Sequence, residues 1–283
     1  MPMARPSFFS RLIPARFRKS VPLVHLVRLQ GTIGIGTPLR PPLTFKDLDP
    51  VLERAFSKKG IAAVALVINS PGGAAVQSAL IHRRIRALAA EHKVPVIAFC
   101  EDVAASGGYW LACAADEIHA DASSIVGSIG VISEGFGFVE AIGKLGIERR
   151  VHTAGESKSI LDPFQPEKKE DVKRLKAMQE DVHEEFKALV RGRRGGKLKD
   201  PEAELFSGAF WSGKRALELG LIDGIGHLHD VLKLRFGDKV VIKPIAAAQG
   251  WGLKRLGFNA FSGLPEDTIA ALEARALWSR FGL

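Results

Sequence analysis

The chain has 283 residues, 46% hydrophobic and 25% charged, a globular composition with room for one large core or two smaller ones. Its two cysteines, Cys100 and Cys113, both lie in apolar surroundings; they do not suggest a disulfide framework or a metal site and fit a reducing compartment. The formal charge of +9 sits largely in the N-terminal arm and in 191–199 and comes with a single tyrosine, whereas binders of single-stranded nucleic acid interleave basic with aromatic residues. Weak attraction to anionic lipid headgroups suits such charge better, with plain solubility as the simpler use.

No run reaches the roughly 18 apolar residues of a membrane span. Residues 1–20 carry Arg5, Arg11, Arg16, Arg18 and Lys19 among prolines, with an apolar core too short for a signal peptide. Phe8, Phe9, Leu12, Ile13 and Phe17 suit a short amphipathic surface anchor about as well as a disordered basic tail. Val21 to Leu29 reads as a first strand, followed by a Gly/Pro-rich loop. Thr44 to Asp47 resembles a capping box and opens a helix with Leu48, Val51, Leu52, Ala55 and Phe56 on one face. Ile61 to Ile68 is continuously apolar, as in a strand buried on both faces, and such strands are usually parallel. Asn69-Ser70-Pro71-Gly72-Gly73 breaks it, and a helix follows over Ala75 to Ala90. This alternation implies right-handed βαβ units.

Pro95 to Cys100 predicts another buried strand, and Trp110 to Ala115 a helix. Between them lies Asp102-Val103-Ala104-Ala105-Ser106-Gly107-Gly108. A strand-to-helix turn exposes a hydroxyl at its apex, its small neighbours admit a substrate backbone, and the helix N-terminus supplies N–H groups that favour negative charge. A nucleophilic serine needs all three, although Ala-Ser-Gly-Gly is also ordinary loop chemistry. Further along, Glu117 to Ala120 predicts a short strand, Phe136 to Leu145 a helix, Ile147 to Val151 a strand, and Thr153 to Phe164 a loop. Pro166 starts a long helix to about Val190, with Val172, Leu175, Met178, Val182, Phe186 and Leu189 on one face. Gly195-Gly196 reads as an exposed loop. A short helix capped by Ser212 and stopped at Gly220 precedes a last strand over 240–245. Beyond it, Ile269, Leu272 and Leu277 suit either packing on a partner or a weakly ordered tail.

A serine hydroxyl needs a base. The eight histidines are scattered, and His227 with His229 lacks any metal-site cluster. His119 and His152 each fall in a predicted strand, where a structural role is the commoner one. The other known base is a lysine desolvated until it loses its proton near neutral pH. Lys158, in Ala154-Gly155-Glu156-Ser157-Lys158-Ser159-Ile160-Leu161, is the candidate, though by composition alone it reads as readily as a loop lysine.

Five motifs occur in one order: Val67-Ile68-Asn69-Ser70-Pro71-Gly72-Gly73; Ala104-Ala105-Ser106-Gly107-Gly108-Tyr109; Gly127-Ser128-Ile129-Gly130-Val131; Lys158 with Pro163-Phe164; and Phe206-Ser207-Gly208 leading to Gly220-Leu221-Ile222-Asp223. Together they resemble the signal peptide peptidase A (protease IV) family of serine–lysine peptidases over residues 22–245. The resemblance implies an α/β fold of stacked ββα units, shared with Clp protease and crotonase, with additional helices. It implies Ser106 as nucleophile and Lys158 as general base. The amides of Gly73 and Gly107 would form the oxyanion hole, Gly72 would permit close approach, and Ser128 would help hold the lysine. It implies peptide substrates with small or apolar residues at the cut, such as remnant signal peptides, no metal or other cofactor, and a ring-like homo-oligomer whose neighbouring subunits share active sites. Members often carry a transmembrane helix before the first strand, where this chain has its basic arm; Ser157, Val126 and Trp110 also depart from the commoner family residues. The expected organisation is a basic arm over 1–20, a peptidase domain over 21–245 and an extension over 246–283, located in the cytoplasm with peripheral inner-membrane contact as a variant. A crotonase-like acyl-CoA enzyme and a non-catalytic scaffold at the membrane surface are the rival readings.

Overall fold

The computed structural model describes residues 21–36, 41–155, 157–199, 201–246 and 264–283, with the backbone alone for 264–270 and 273. The expected N-terminal arm, the side chain of Ile269 and most of the link to the last helix lie outside the described residues. Among the described residues, no helix is long and apolar enough to cross a membrane.

The first half of the chain alternates strand and helix: β1 (Leu23–Gln30), α1 (Phe45–Phe56), β2 (Ala63–Ser70), α2 (Ala75–His92), β3 (Val96–Ala105) and α3 (Gly107–Ala112). Two short strands, β4 (Glu117–Ala120) and β5 (Ile125–Gly127), precede α4 (Val139–Lys144) and the 26-residue α5 (Lys169–Arg194). The rest comprises α6 (Glu202–Leu205), β6 (Phe210–Ser212), α7 (Gly213–Glu218), β7 (Gly224–Ile225), α8 (Leu228–Phe236), β8 (Val241–Pro244) and α9 (Leu264–Ser279). The sheet runs β6-β5-β3-β2-β1-β8, with β4 beside β3 and β7 beside β4, and only the β5–β6 pair is antiparallel. Every residue of β2 is buried, because helices cover both faces of the sheet at its centre. On one face, α1, α2, α3 and the end of α5 pack Leu52, Ile81, Ile85, Tyr109 and Phe186 against Leu29, Leu66 and Ile68. On the other, Leu232 of α8 packs against Val24, Ala65, Val67, Ile97 and Phe99.

Strand β3 pairs in two registers. Ile97–Cys100 align with Glu117–Ala120 of β4, then Val103–Ala105 align with Ile125–Gly127 of β5. It therefore continues five residues past Cys100, where the apolar run ends, and delivers Ser106 at its tip. The charged pair Glu101-Asp102 interrupts both the hydrophobic run and the ladder, the register with β2 shifting from Ile68–Cys100 to Ser70–Ala104, yet the strand itself runs through.

Thr44 caps α1 as expected, its hydroxyl accepting from the Asp47 N–H, while the Asp47 carboxylate accepts from that hydroxyl in place of the backbone bond of a full capping box. Ser212 likewise caps α7, and Gly220 ends that turn with φ +80°. Tyr109 fixes α3 from below, its hydroxyl donating to the Leu221 carbonyl at 2.7 Å. Beside it, buried Arg194 donates to Asp223 at 2.6 Å, and Asp223 also accepts from Lys197 and from the Ile118 N–H. Burial works to raise the Asp223 carboxyl, but Arg194, Lys197 and the Ile118 amide outweigh it and hold the group below its ordinary value.

Three expectations need correction. Ile147–Val151 is not a strand: the Ile147 N–H turns back to the Ile142 carbonyl, Arg149 pairs with Asp162 and Arg150 with Glu148. Among the described residues no strand lies alongside to accept a ladder, and Glu148, Arg149 and Arg150 leave only the two end residues apolar. The helix expected over Phe136 to Leu145 shrinks to α4, none of whose residues is buried. Gly195–Lys197 forms a short 3-10 turn that continues α5 rather than an open loop. Residues 131–155 with 157 and 158 thus form a largely exposed arm, tied to its own base by the Phe138–Phe164 stack and by the Phe138 N–H donating to the Pro163 carbonyl.

Candidate active site

Ser106 stands between the last residue of β3 and the first of α3 with φ +52° and ψ −122°. Such a backbone is costly for a residue with a Cβ and persists only where its surroundings enforce it. Here the Ser106 N–H donates to the Gly127 carbonyl at 2.8 Å, and its own carbonyl accepts from Trp110 at 3.0 Å. The strand ladder holds one side and the first helical turn the other. The side chain is thereby lifted away from both, half-exposed at the wall of a cavity.

Two glycine segments meet beside it. Gly72, with φ +101°, lies so close that a Cβ there would fall 2.8 Å from both the Gly107 nitrogen and the Ser106 Cβ. Gly73, with φ +141°, backs onto Ile33, where a Cβ would lie 2.9 Å from the Ile33 nitrogen and closer still to its carbonyl oxygen. Ile33 holds this loop from both sides, its N–H donating to the Gly72 carbonyl and its carbonyl accepting from Ala74. The Gly73 and Gly107 N–H groups donate to nothing among the described residues. Two unspent amides next to a strained serine can stabilise an oxyanion.

The cavity beside Ser106 encloses about 310 Å³. Gly73 and Gly107 share its wall with Ser106, and Ile35, Trp110, Ile132, Val182, Phe186 and Leu277 make the rest largely apolar. The indole of Trp110 is stacked on Phe186 at 4.5 Å, which fixes the floor. Ser128 is buried with φ +54°, its N–H donating to the Ala209 carbonyl at 2.7 Å, and its hydroxyl makes no hydrogen bond among the described residues. It follows the Gly127 whose carbonyl receives the Ser106 N–H, so the Ser128 loop and the nucleophile turn share one anchor.

Lys158 is placed elsewhere. It lies exposed in the turn of the arm, its N–H donating to the Gly155 carbonyl, and it does not line the Ser106 cavity. Within one chain, the fold therefore brings together Ser106, Gly72, Gly73 and Gly107, and leaves Lys158 outside. The histidines do not replace it: His152 is exposed in the arm, and His119 stacks on Phe99 at the opposite face of the sheet. No group of His, Cys, Asp and Glu among the described residues could hold a metal ion. Cys100 and Cys113 are fully buried, and burial pushes both thiols up to about 12, so neither supplies a thiolate nucleophile.

Leu277 and Arg280 complete the cavity from beyond the expected catalytic domain. Periodicity could not reveal this, because α9 reaches the site across a long link; the only trace was Leu277, an apolar residue in search of a partner. Trp278 and Phe281 anchor that helix against Val103, Ala105 and Ile125, with Phe281 also edge-on to Phe210 at 5.1 Å.

A family model described as Peptidase family S49 matches residues 89–240 of the chain. The chain is 51% identical over 292 aligned positions to a Brucella melitensis protein named Na(+)/H(+) antiporter NhaA, which covers 99% of this chain and 40% of that protein. It is 33% identical over 213 positions to the chloroplastic serine protease SPPA of Arabidopsis thaliana, covering 72% of this chain and 31% of the relative. With Protease 4 of Haemophilus influenzae it shares 32% over 213 positions, covering 74% and 34%. The chain thus spans less than half the length of these relatives. Among solved structures, a mutant of the 1510-N membrane-bound stomatin-specific protease superposes with a TM-score of 0.49 at 16% identity, covering 80% of this chain and 99% of that one.

Proposed function

The chain belongs to peptidase family S49, and from that membership we propose that it is a serine endopeptidase acting through Ser106 and Lys158. The observation that carries the reading is the backbone of Ser106: a non-glycine residue held at positive φ, at a strand-to-helix turn, beside two amides that donate to nothing among the described residues. Ser106 Oγ attacks the scissile carbonyl while the Lys158 amine takes its proton. The oxyanion is received by the Gly73 and Gly107 N–H groups. The lysine returns the proton to the leaving amine, and water hydrolyses the acyl-enzyme. The apolar lining of the cavity supports substrates with small or apolar residues at the cut, of which remnant signal peptides are one source.

A lysine can serve as base only when unprotonated, which requires withdrawal from water. Lys158 is exposed within one chain, so the dyad forms when the arm of one subunit docks on a neighbour in a homo-oligomer. The arm's surface supports this: Phe136 is 80% exposed and Leu145 73%, with Ile132 and Ile147 also uncovered. Met178, on the apolar stripe of α5, is 59% exposed as well, while Val172 and Leu175 beside it are half-buried.

A fluorophosphonate probe followed by peptide mapping tests the assignment. Labelling at Ser106, with peptide hydrolysis abolished in Ser106→Ala and in Lys158→Ala while the assembly persists, is the expected outcome. Turnover of acyl-CoA thioesters with Ser106 unlabelled would instead favour the crotonase-like chemistry.

A further inference from the structure

Arg280 lines the Ser106 cavity and, among the described residues, contributes its only positive side chain; the other described lining residues are apolar, small or serine. The guanidinium makes no ion pair or hydrogen bond with any described residue and lies over the Phe281 ring, 5.9 Å from the centroid. Many other arginines of this chain are spent: Arg28, Arg84, Arg86, Arg191, Arg193 and Arg194 each hold a carboxylate. A cation just past a helix C-terminus suits the dipole of that helix, which accounts for its charge but leaves its five donors uncommitted. Its position is not loose either, since the neighbouring Phe281 is buried against Val103 and Ala105 of the nucleophile strand.

We propose that Arg280 is a specificity-determining residue that binds a carboxylate of the substrate, so that the preferred ligand is an apolar peptide carrying a negative charge a short distance from the bond held at Ser106. This rests on the assignment of Ser106 above. The carboxylate has two sources, the α-carboxylate at the end of a short peptide and the side chain of an acidic residue. A planar fork of donors fits either one in bidentate fashion. The apolar walls would bind the body of the peptide while excluding water around the pair, which strengthens it relative to a surface contact.

The test uses matched apolar peptides that end in a free acid or an amide, and a second pair differing by Glu against Gln, assayed on the full chain. The free acid, the Glu peptide or both should be cleaved with a kcat/KM roughly tenfold or more above the neutral partner, and added salt should shrink that ratio. In Arg280→Gln the ratio should fall to about one, and Arg280→Lys should restore part of it. An unchanged ratio in Arg280→Gln would overturn the proposal, as would a change of oligomeric state in that variant, which would make Arg280 an interface residue. Equilibrium binding of the same peptides to Ser106→Ala, read by fluorescence anisotropy, separates this from the underlying reading: acid preference lost with Arg280→Gln in binding supports the arginine's role even if no peptide is hydrolysed, and its persistence refutes it.

Discussion

Gly72→Ala is the substitution that reaches the candidate oxyanion hole without replacing a reacting group. The new Cβ would lie 2.8 Å from the Gly107 nitrogen, 2.8 Å from the Ser106 Cβ and 3.0 Å from the Ala105 carbonyl oxygen, all on the nucleophile turn. An alanine at φ +101° also costs about 1–3 kcal/mol of backbone strain, and overpacking adds about 1–3 kcal/mol. Relief comes by pushing the two loops apart, which separates the Gly73 and Gly107 amides. Loss of one oxyanion donor costs about 10²–10³ in kcat, or about 2.7–4 kcal/mol. Gly60→Ala is the internal control, because Gly60 has φ +80° but open space around its Cβ position. Fluorogenic peptide hydrolysis and thermal unfolding, run on both variants, should show a stability loss in each and a fall in kcat of about a hundredfold or more in Gly72→Ala alone. A Gly72→Ala protein that is destabilised yet keeps its kcat would remove the Gly107 amide from the oxyanion hole.

Further consequences concern charge and pH. His82 is buried, and desolvation, reinforced by Arg193 and more weakly by Arg86 and Arg83 against the opposing Cys113 backbone, lowers its imidazole from 6.5 to about 4. The unfolded chain therefore takes up this proton first as pH falls, so stability should be constant above pH 6.5 with respect to this group and decline by up to about 3 kcal/mol between 6.5 and 4. Urea unfolding across that window should be steeper in pH for the wild type than for His82→Leu, and equal slopes would contradict the burial. Arg194→Met should cost about 3–5 kcal/mol, because it leaves Asp223 without its main partner beneath α3; a loss under 1 kcal/mol in chemical denaturation would show the pair to be dispensable. Since Asp223 is held below its ordinary value, its contribution to stability should be present at neutral pH and fade as acid protonates it, a decline Arg194→Met should flatten.

The sheet was legible in the sequence wherever burial was two-sided. The apolar run from Ile61 to Ile68 marks a central strand because no solvent face dilutes it, and Thr44, Ser212 and Gly220 mark helix ends because their chemistry is local. Ser106 was legible for the same reason: small residues at a strand-to-helix turn are written in adjacent positions. The arm was not. Ile147 to Val151 offers only two β-branched residues around three charges and finds no ladder among the described residues, and the stripe from Val172 to Leu189 predicts a buried face of which Met178 stays uncovered within the chain. Amphipathic patterning shows that a face wants burial, not what buries it. Arg280 and Leu277 were beyond reach for a different reason, since their place at the cavity depends on a tertiary contact made by Phe281 with β3.

The shared-site account is met most directly by mixing two inactive variants. Ser106→Ala keeps a competent arm and Lys158→Ala keeps a competent serine, so subunits exchanged between the two assemblies should regain a fraction of wild-type peptide hydrolysis that rises with the extent of exchange. Mixed assemblies that form but stay as inactive as their parents would contradict a serine and a lysine contributed by different copies of this chain.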